Sequence, residues 1–133
     1  MEYGKTEIVL CQSNEDLGAR AANDVARCVT NLLADRDELR LVFAAGESQT
    51  TFLEALARHD EVEWQRIVCF NVDDFWDTRM ARQYSCGYQT QSLFYDKVKP
   101  KEFHLVDFAA PDAQAEADRF EALLRQAGGL DVL

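Results

Sequence analysis

An α/β fold built on a parallel sheet is what this sequence predicts, and three observations predict it. Short apolar runs at 39–45 (LRLVFAA), 66–72 (RIVCFNV) and 103–106 (FHLV) read as buried strands. Longer stretches with helical periodicity and capping signals lie between and after them. Strict alternation of this kind implies right-handed βαβ crossovers, hence parallel strands with helices on both faces. The expectation is a Rossmann-like, three-layer βαβ arrangement, with residues 1–133 as a single domain.

Taken in order, residues 7–11 (EIVLC) form a first apolar run with strand character. Ser13 then offers an N-cap, with Asp16 three residues on, to a helix that places Leu17, Ala21, Val25, Cys28, Val29 and Leu32 on one face. The strand at 39–45 ends at Gly46, and a second helix starts near Ser48 with Phe52, Leu53 and Leu56 inward. After 66–72 comes a long loop, DDFWDTRMARQYS, and then a helical segment over 86–97. Pro111 and Asp112 open a last helix reaching Gln126, with Ala115, Phe120, Leu123 and Leu124 as its apolar surface; Gly128 and Gly129 stop it. LDVL (130–133) has the pattern of a strand being entered, so the chain reads as truncated at its C-terminal end. No repeat or linker is visible.

Composition narrows the function classes. With 47% apolar residues and only two prolines, the 133-residue chain is a folded domain and not a disordered segment. A net charge of -10 argues against nucleic acid and against an anionic membrane surface as partners. A phosphate pocket survives that argument, because backbone amides at a helix start bind anions whatever the net charge. No apolar run approaches the roughly 20 residues of a membrane span, and MEYGKTEIVL lacks the plan of a signal peptide. The four cysteines include no C-x-x-C pair, and Cys28 and Cys69 sit in apolar patterns. They read as core thiols of a cytoplasmic protein, with neither a disulfide framework nor a metal site.

Two stretches carry possible chemistry, each where a parallel sheet places ligands, beyond the carboxyl end of a strand. AAGESQTTF (44–52) puts Gly46, a residue that allows close backbone approach, ahead of Ser48, Thr50 and Thr51 at a helix start. A phosphate cradle, plain helix capping by Ser48 or Thr50, and a nucleophile elbow at Ser48 all compete for it. The elbow is weakest, since its closing glycine is replaced by Thr50 and its only bases would be His59 or His104. His104, inside FHLV, reads as structural. The second stretch, CFNVDDFWDT (69–78), ends a strand in Asp73, Asp74 and Asp77. Asp73 is placed to act as a general base, its pKa raised by burial near Phe70, Phe75 and Trp76. An acidic turn and a Mg²⁺-diphosphate D-D-x-x-D motif are the alternatives, the latter belonging to all-α folds.

Four segments in register resemble the glucosamine-6-phosphate deaminase/isomerase family, whose fold is shared with 6-phosphogluconolactonases. LVFAAGESQTTFLEAL (41–56) is similar to its phosphate-loop segment and VCFNVDDFWD (68–77) to its F-x-x-D-E-Y segment, with Asp74 replacing the usual Glu. YSCGYQTQSLFYDKV (84–98) resembles the helix that follows, and 102–133 the stretch leading into the next strand. The resemblance runs from about residue 8 to 133 and covers the family's N-terminal half. It implies a phosphosugar substrate, Asp73 as the proton carrier, and a phosphate held by Gly46, the backbone N–H of Glu47, and Ser48, with Asp74 at the substrate. It implies no metal or organic cofactor and leaves a homo-oligomer open. The family's later Gly-rich turn, with its histidine, lies beyond Leu133, and loop 75–84 departs from the usual pattern.

Overall fold

The structure, a computed structural model, describes residues 2–133, with side chains from residue 4 onward. It opens with a short antiparallel hairpin, β1 (Glu2–Tyr3) and β2 (Thr6–Glu7). The run at 7–11 does not become a strand of the main sheet. Its strand character ends at Glu7, and Ile8, Val9 and Leu10 are exposed, Leu10 by 81%. An apolar run carries no information about whether a sheet edge is within its reach.

Helix α1 (Asn14–Leu33) starts as its capping signal predicts. The Ser13 hydroxyl accepts from Asp16 N at 3.1 Å, and the Asp16 carboxylate accepts from Gln12 N at 3.0 Å. Its buried line is not the expected one, however. Gly18, Ala22, Ala26, Val29 and Leu33 face inward, while Leu17 and Cys28 are exposed. The reason is a close crossing with α2 (Glu47–Leu56): a Cβ on Gly18 would lie 2.6 Å from the Thr51 carbonyl carbon. Small residues win the interface because only they allow that approach, and the bulkier face is turned aside.

Strands β3 (Leu39–Phe43), β4 (Ile67–Asn71) and β5 (Glu102–His104) form a parallel sheet in that order. Every residue of β4 is buried, as expected of a central strand covered on both faces. Leu39, Leu41 and Phe43, with Ile67 and Cys69, point to one face, where α1, α2 and the helix after β4 pack. Val68 and Phe70 point to the other, against Phe120, Leu123 and Leu124 of α5 (Ala113–Ala127). The three-layer α/β expectation holds. Each wholly buried side chain of the Leu39, Leu53 or Ile67 kind contributes about 1.5–3 kcal/mol.

The helix after β4 runs as α3 (Cys86–Thr90), a π-helical stretch (Gln91–Tyr95) and α4 (Asp96–Val98) without a break. Phe94 and Tyr95, neighbours in sequence, are both buried. Phe94 packs its ring against Phe43 and Trp64, and Tyr95 stacks on Phe103. The last helix is capped by Asp112, whose carboxylate accepts from Gln114 N and Ala115 N, and stopped by Gly128 in the left-handed region. Val132 then bridges in parallel to Leu41, on the side of β3 away from β4. LDVL therefore does begin to pair with the sheet.

Candidate functional site

The direction of the chain reverses beside β3. Helices α2 and α3–α4 carry it from β3 to β4 to β5 on one face, and α5 returns it across the other face to pair at Val132. That switch in direction opens a crevice at the carboxyl ends of the strands, the place where open α/β sheets hold ligands. The ladder between β3 and β4 closes with Val72 N donating to Phe43 O at 2.9 Å. Beyond it the two chains diverge into the two stretches singled out above.

The first turn is tight. Gly46 has φ 116° and ψ 167°, a conformation essentially reserved for glycine, and Glu47 already begins α2. No side chain caps this helix, so capping by Ser48 or Thr50 is excluded. Both lie inside the first turn, too late in the chain to reach back to the free amides. Ser48 is exposed, and its hydroxyl accepts from Gln49 Nε2 at 3.4 Å.

Gly46 itself is held by a residue that pattern reading passed over. Gly46 N donates to Gln89 Oε1 at 2.7 Å, and Gln89 Nε2 donates back to Gly46 O at 3.2 Å and toward Thr50 Oγ1 at 3.5 Å. Nothing local marks Gln89, which lies 43 residues from its partner.

The second turn is long and pinned at points. Asp74 is half-buried and fully used: its carboxylate accepts from Phe75 N at 2.8 Å, Cys86 N at 2.9 Å and Gly87 N at 2.8 Å. It thereby joins the Ser85 hydroxyl, which accepts from Tyr88 N, in satisfying the start of α3. Asp77 closes a turn on Arg79 N. Trp76 Nε1 donates to Ala110 O and Asp77 N to Phe108 O, tying the loop to the segment after β5. Asp73, by contrast, is exposed, and its carboxylate has no hydrogen bond or ion pair among the described residues. The apolar surroundings expected for it are absent: Phe75 and Trp76 are 63% and 55% exposed, and Phe70 lies in the core.

Beneath the two turns sits a buried polar chain. Asn71 Nδ2 donates to Thr90 Oγ1, Tyr95 OH donates to Asn71 Oδ1, each at 2.9 Å, and Thr90 Oγ1 donates to Cys86 O. Burial first, and then the neighbouring Cys69, pushes the Tyr95 hydroxyl far up, so it stays a donor. Breaking this chain leaves a polar atom unpaired inside the core, at about 1–3 kcal/mol. The Cys86 thiol is also pushed up, by burial and then by the Asp74 and Asp73 carboxylates.

Neither histidine is available to the crevice. His59 Nδ1 pairs with Glu61 at 2.6 Å, and His104 stacks on Phe70 with Nε2 at 3.2 Å from Glu102. Among the described residues no three His, Cys, Asp or Glu side chains gather as a metal set, and no helix is long and apolar enough to cross a membrane. An apolar cleft of about 450 Å³ runs along the outer edge of β3, lined by Leu17, Val25, Phe52 and Val132 and reaching Ala44 and Ser48. Asp73 is not in its wall.

Comparison with known proteins bears on the family and the fold. Residues 12–133 match the family described as glucosamine-6-phosphate isomerases/6-phosphogluconolactonase. A glucosamine-6-phosphate deaminase from an Exiguobacterium strain is 28% identical over 84% of this chain and 45% of its own length. One from Drosophila melanogaster is 23% identical over 94% of this chain and 48% of its own. The chain thus spans about half the length of the curated relatives it matches. Among solved structures, a monomeric glucosamine-6-phosphate deaminase superposes with a TM-score of 0.79 at 20% identity, over 95% of this chain and 53% of that one. A 6-phosphogluconolactonase from Thermotoga maritima gives 0.76 at 21%, over 90% and 53%. At such identities the two structures establish the fold.

Proposed function

We propose, from the premise that the chain belongs to the glucosamine-6-phosphate isomerase/6-phosphogluconolactonase family, that it carries the phosphate-binding and proton-transfer part of a glucosamine-6-phosphate deaminase. The sugar phosphate sits at the Gly46 turn, on the amides of Gly46, Glu47 and Ser48, and the reacting carbons lie toward Asp73. Once the ring is open, the Asp73 carboxylate takes the proton from C2 and returns it to C1 through an enolamine. Water then displaces ammonia from C2 to leave the ketose phosphate. Proton transfer followed by hydrolysis calls for no metal or organic cofactor. A small phosphosugar inside the cell is the partner this reading requires, and four free thiols suit a reducing cytoplasm.

The observation that carries the reading is the contrast between adjacent acids. Asp74 spends its carboxylate on backbone amides, whereas Asp73 keeps its own free at the carboxyl end of a rigid, buried strand. That leaves Asp74 a structural share in the site, through the helix it anchors. The test is ammonia release from glucosamine 6-phosphate by the whole polypeptide its gene encodes, compared with Asp73→Asn. Turnover in the parent and its loss in the variant is the expected result; undiminished turnover in the variant removes Asp73 from the mechanism. Hydrolysis of 6-phosphogluconolactone, assayed in parallel, separates the lactonase reading that the shared fold allows.

A further inference from the structure

We propose that Gln89 is a positioning residue, a side-chain clamp that holds the Gly46 peptide in the one orientation in which the first amides of α2 face a bound phosphate. The inference rests on the phosphate reading of that turn and deepens it. Its physical basis is the break in the ladder at Phe43 and Val72, past which no strand is hydrogen-bonded to Gly46. An amide of Gly46 left without a partner is free to rotate, and its φ of 116° is a conformation from which glycine escapes easily. Gln89 supplies the missing strand: its carboxamide accepts from Gly46 N at 2.7 Å and donates to Gly46 O at 3.2 Å, as a backbone neighbour would.

Gly46 O also accepts from Gln49 N, the first bond of the helix, so the clamp and the helix start share one oxygen. The position of Gln89 is itself set from the other turn. Its helix is fastened at the front by Asp74, on Cys86 N and Gly87 N, and beneath by the bond between Asn71 and Thr90. Gln89 therefore joins the turn that offers amides to the turn that offers Asp73. Among the described residues no backbone hydrogen bond joins the two turns beyond Phe43 and Val72.

The test uses the ¹⁵N-labelled chain and two variants. Gln89→Met keeps length and volume but loses both polar atoms. Gln89→Glu keeps an acceptor for Gly46 N and turns a negative charge toward Gly46 O. The first measurement is hydrogen exchange at Gly46, with Leu41 and Phe70 amides as controls for the fold. Gln89→Met is expected to speed Gly46 exchange about fivefold or more, the worth of one intramolecular hydrogen bond, with the controls unchanged. The second measurement is titration with inorganic phosphate and with glucosamine 6-phosphate, read at the amides of Glu47 and Ser48. Gln89→Met is expected to bind both about fivefold more weakly, and Gln89→Glu to lose affinity progressively as pH rises through roughly 4–6, where the new carboxylate ionises. Unchanged Gly46 exchange in Gln89→Met, or phosphate affinity equal to the parent in both variants, overturns the clamp. Should the parent show no phosphate response at all, the phosphate reading of the turn falls by itself. The clamp is then judged on Gly46 exchange alone, where faster exchange in Gln89→Met upholds it and parental exchange removes it.

Discussion

The turn after β3 and the turn after β4 solve the same problem, leaving a buried strand, in opposite ways. The first is as short as a glycine permits and presents backbone. The second runs from Val72 to Ser85 and presents side chains: a free Asp73, exposed Phe75 and exposed Trp76. A turn whose product is backbone geometry must be held rigid by something outside itself. A turn whose product is one carboxylate needs only its base fixed, which burial of β4 and the Asn71 network accomplish. The division of labour separates what Gly46 does from what Asp73 does, and substitutions can break it.

The largest effect is expected at Asp73. Asp73→Asn removes the proposed proton carrier and should lower ammonia release by the whole polypeptide about 100- to 10,000-fold, while urea unfolding moves by no more than about 0.5 kcal/mol, because the side chain holds no partner among the described residues. Asp74→Ala should do the reverse. It orphans the amides of Cys86 and Gly87 at the start of α3, so unfolding should show a loss of about 2–3 kcal/mol, with any loss of turnover following from disorder of the turn. If Asp74→Ala unfolded like the parent but lost activity, the two acids would have to exchange roles. At the other turn, Gly46→Ala should cost about 1–3 kcal/mol by thermal unfolding. The space for a Cβ is open, and strain at φ 116° is the whole effect.

A pH dependence probes how the long turn is pinned. Its anchor points, Phe108 O and Ala110 O, belong to a segment that Glu116 holds by accepting from Asp107 N at 2.7 Å. The Arg119 hydrogen bond, chiefly, keeps the Glu116 carboxyl below its usual range. A depressed folded pKa means this contribution is fully present above about pH 4.3 and fades as pH falls through the lower folded value. The Trp76 indole N–H resonance, followed by NMR from pH 6 to pH 2, should report release in that acid range, and Glu116→Gln should flatten the transition. The smallest effect belongs to Ser48→Ala, which should change stability by less than about 0.5 kcal/mol, since Ser48 caps nothing. Any effect it has should appear in phosphate binding.

Features set within a few residues were legible from sequence. Ser13 with Asp16, Asp112 before the last helix and Gly128 after it act over one helical turn, and all are found where the pattern placed them. Strand identity was legible for the same reason: β4 is apolar from Ile67 to Phe70 because it is covered on both faces. What escaped depends on partners far along the chain. Gln89 acts on Gly46, Asn71 acts on Thr90, and Gly18 is buried only because Thr51 crosses it. Cys28 looked internal because periodicity counts apolar residues and cannot see that a neighbouring helix prefers the small ones. Asp73 and Asp74 are the sharpest case, identical in type and adjacent, yet distinguished only by which of them meets the amides of residues 86 and 87.

The π-helical stretch at Gln91–Tyr95 gives the helix after β4 one residue more than a regular helix of that length would hold. Removing Ser92, which is exposed, would let the helix relax to ordinary winding with its rear half still anchored by Phe94, Tyr95 and Val98 in the core. Because the wide turn absorbs its extra residue locally, the front half would keep its orientation, with Gln89 still on Gly46 and the amides of Cys86 and Gly87 still on Asp74. Winding all the residues as ordinary α-helix would instead turn the front half by about 100° and take those contacts apart. The wide turn works as a phase setting: it keeps one end of the helix in step with the hydrophobic core and the other in step with the crevice.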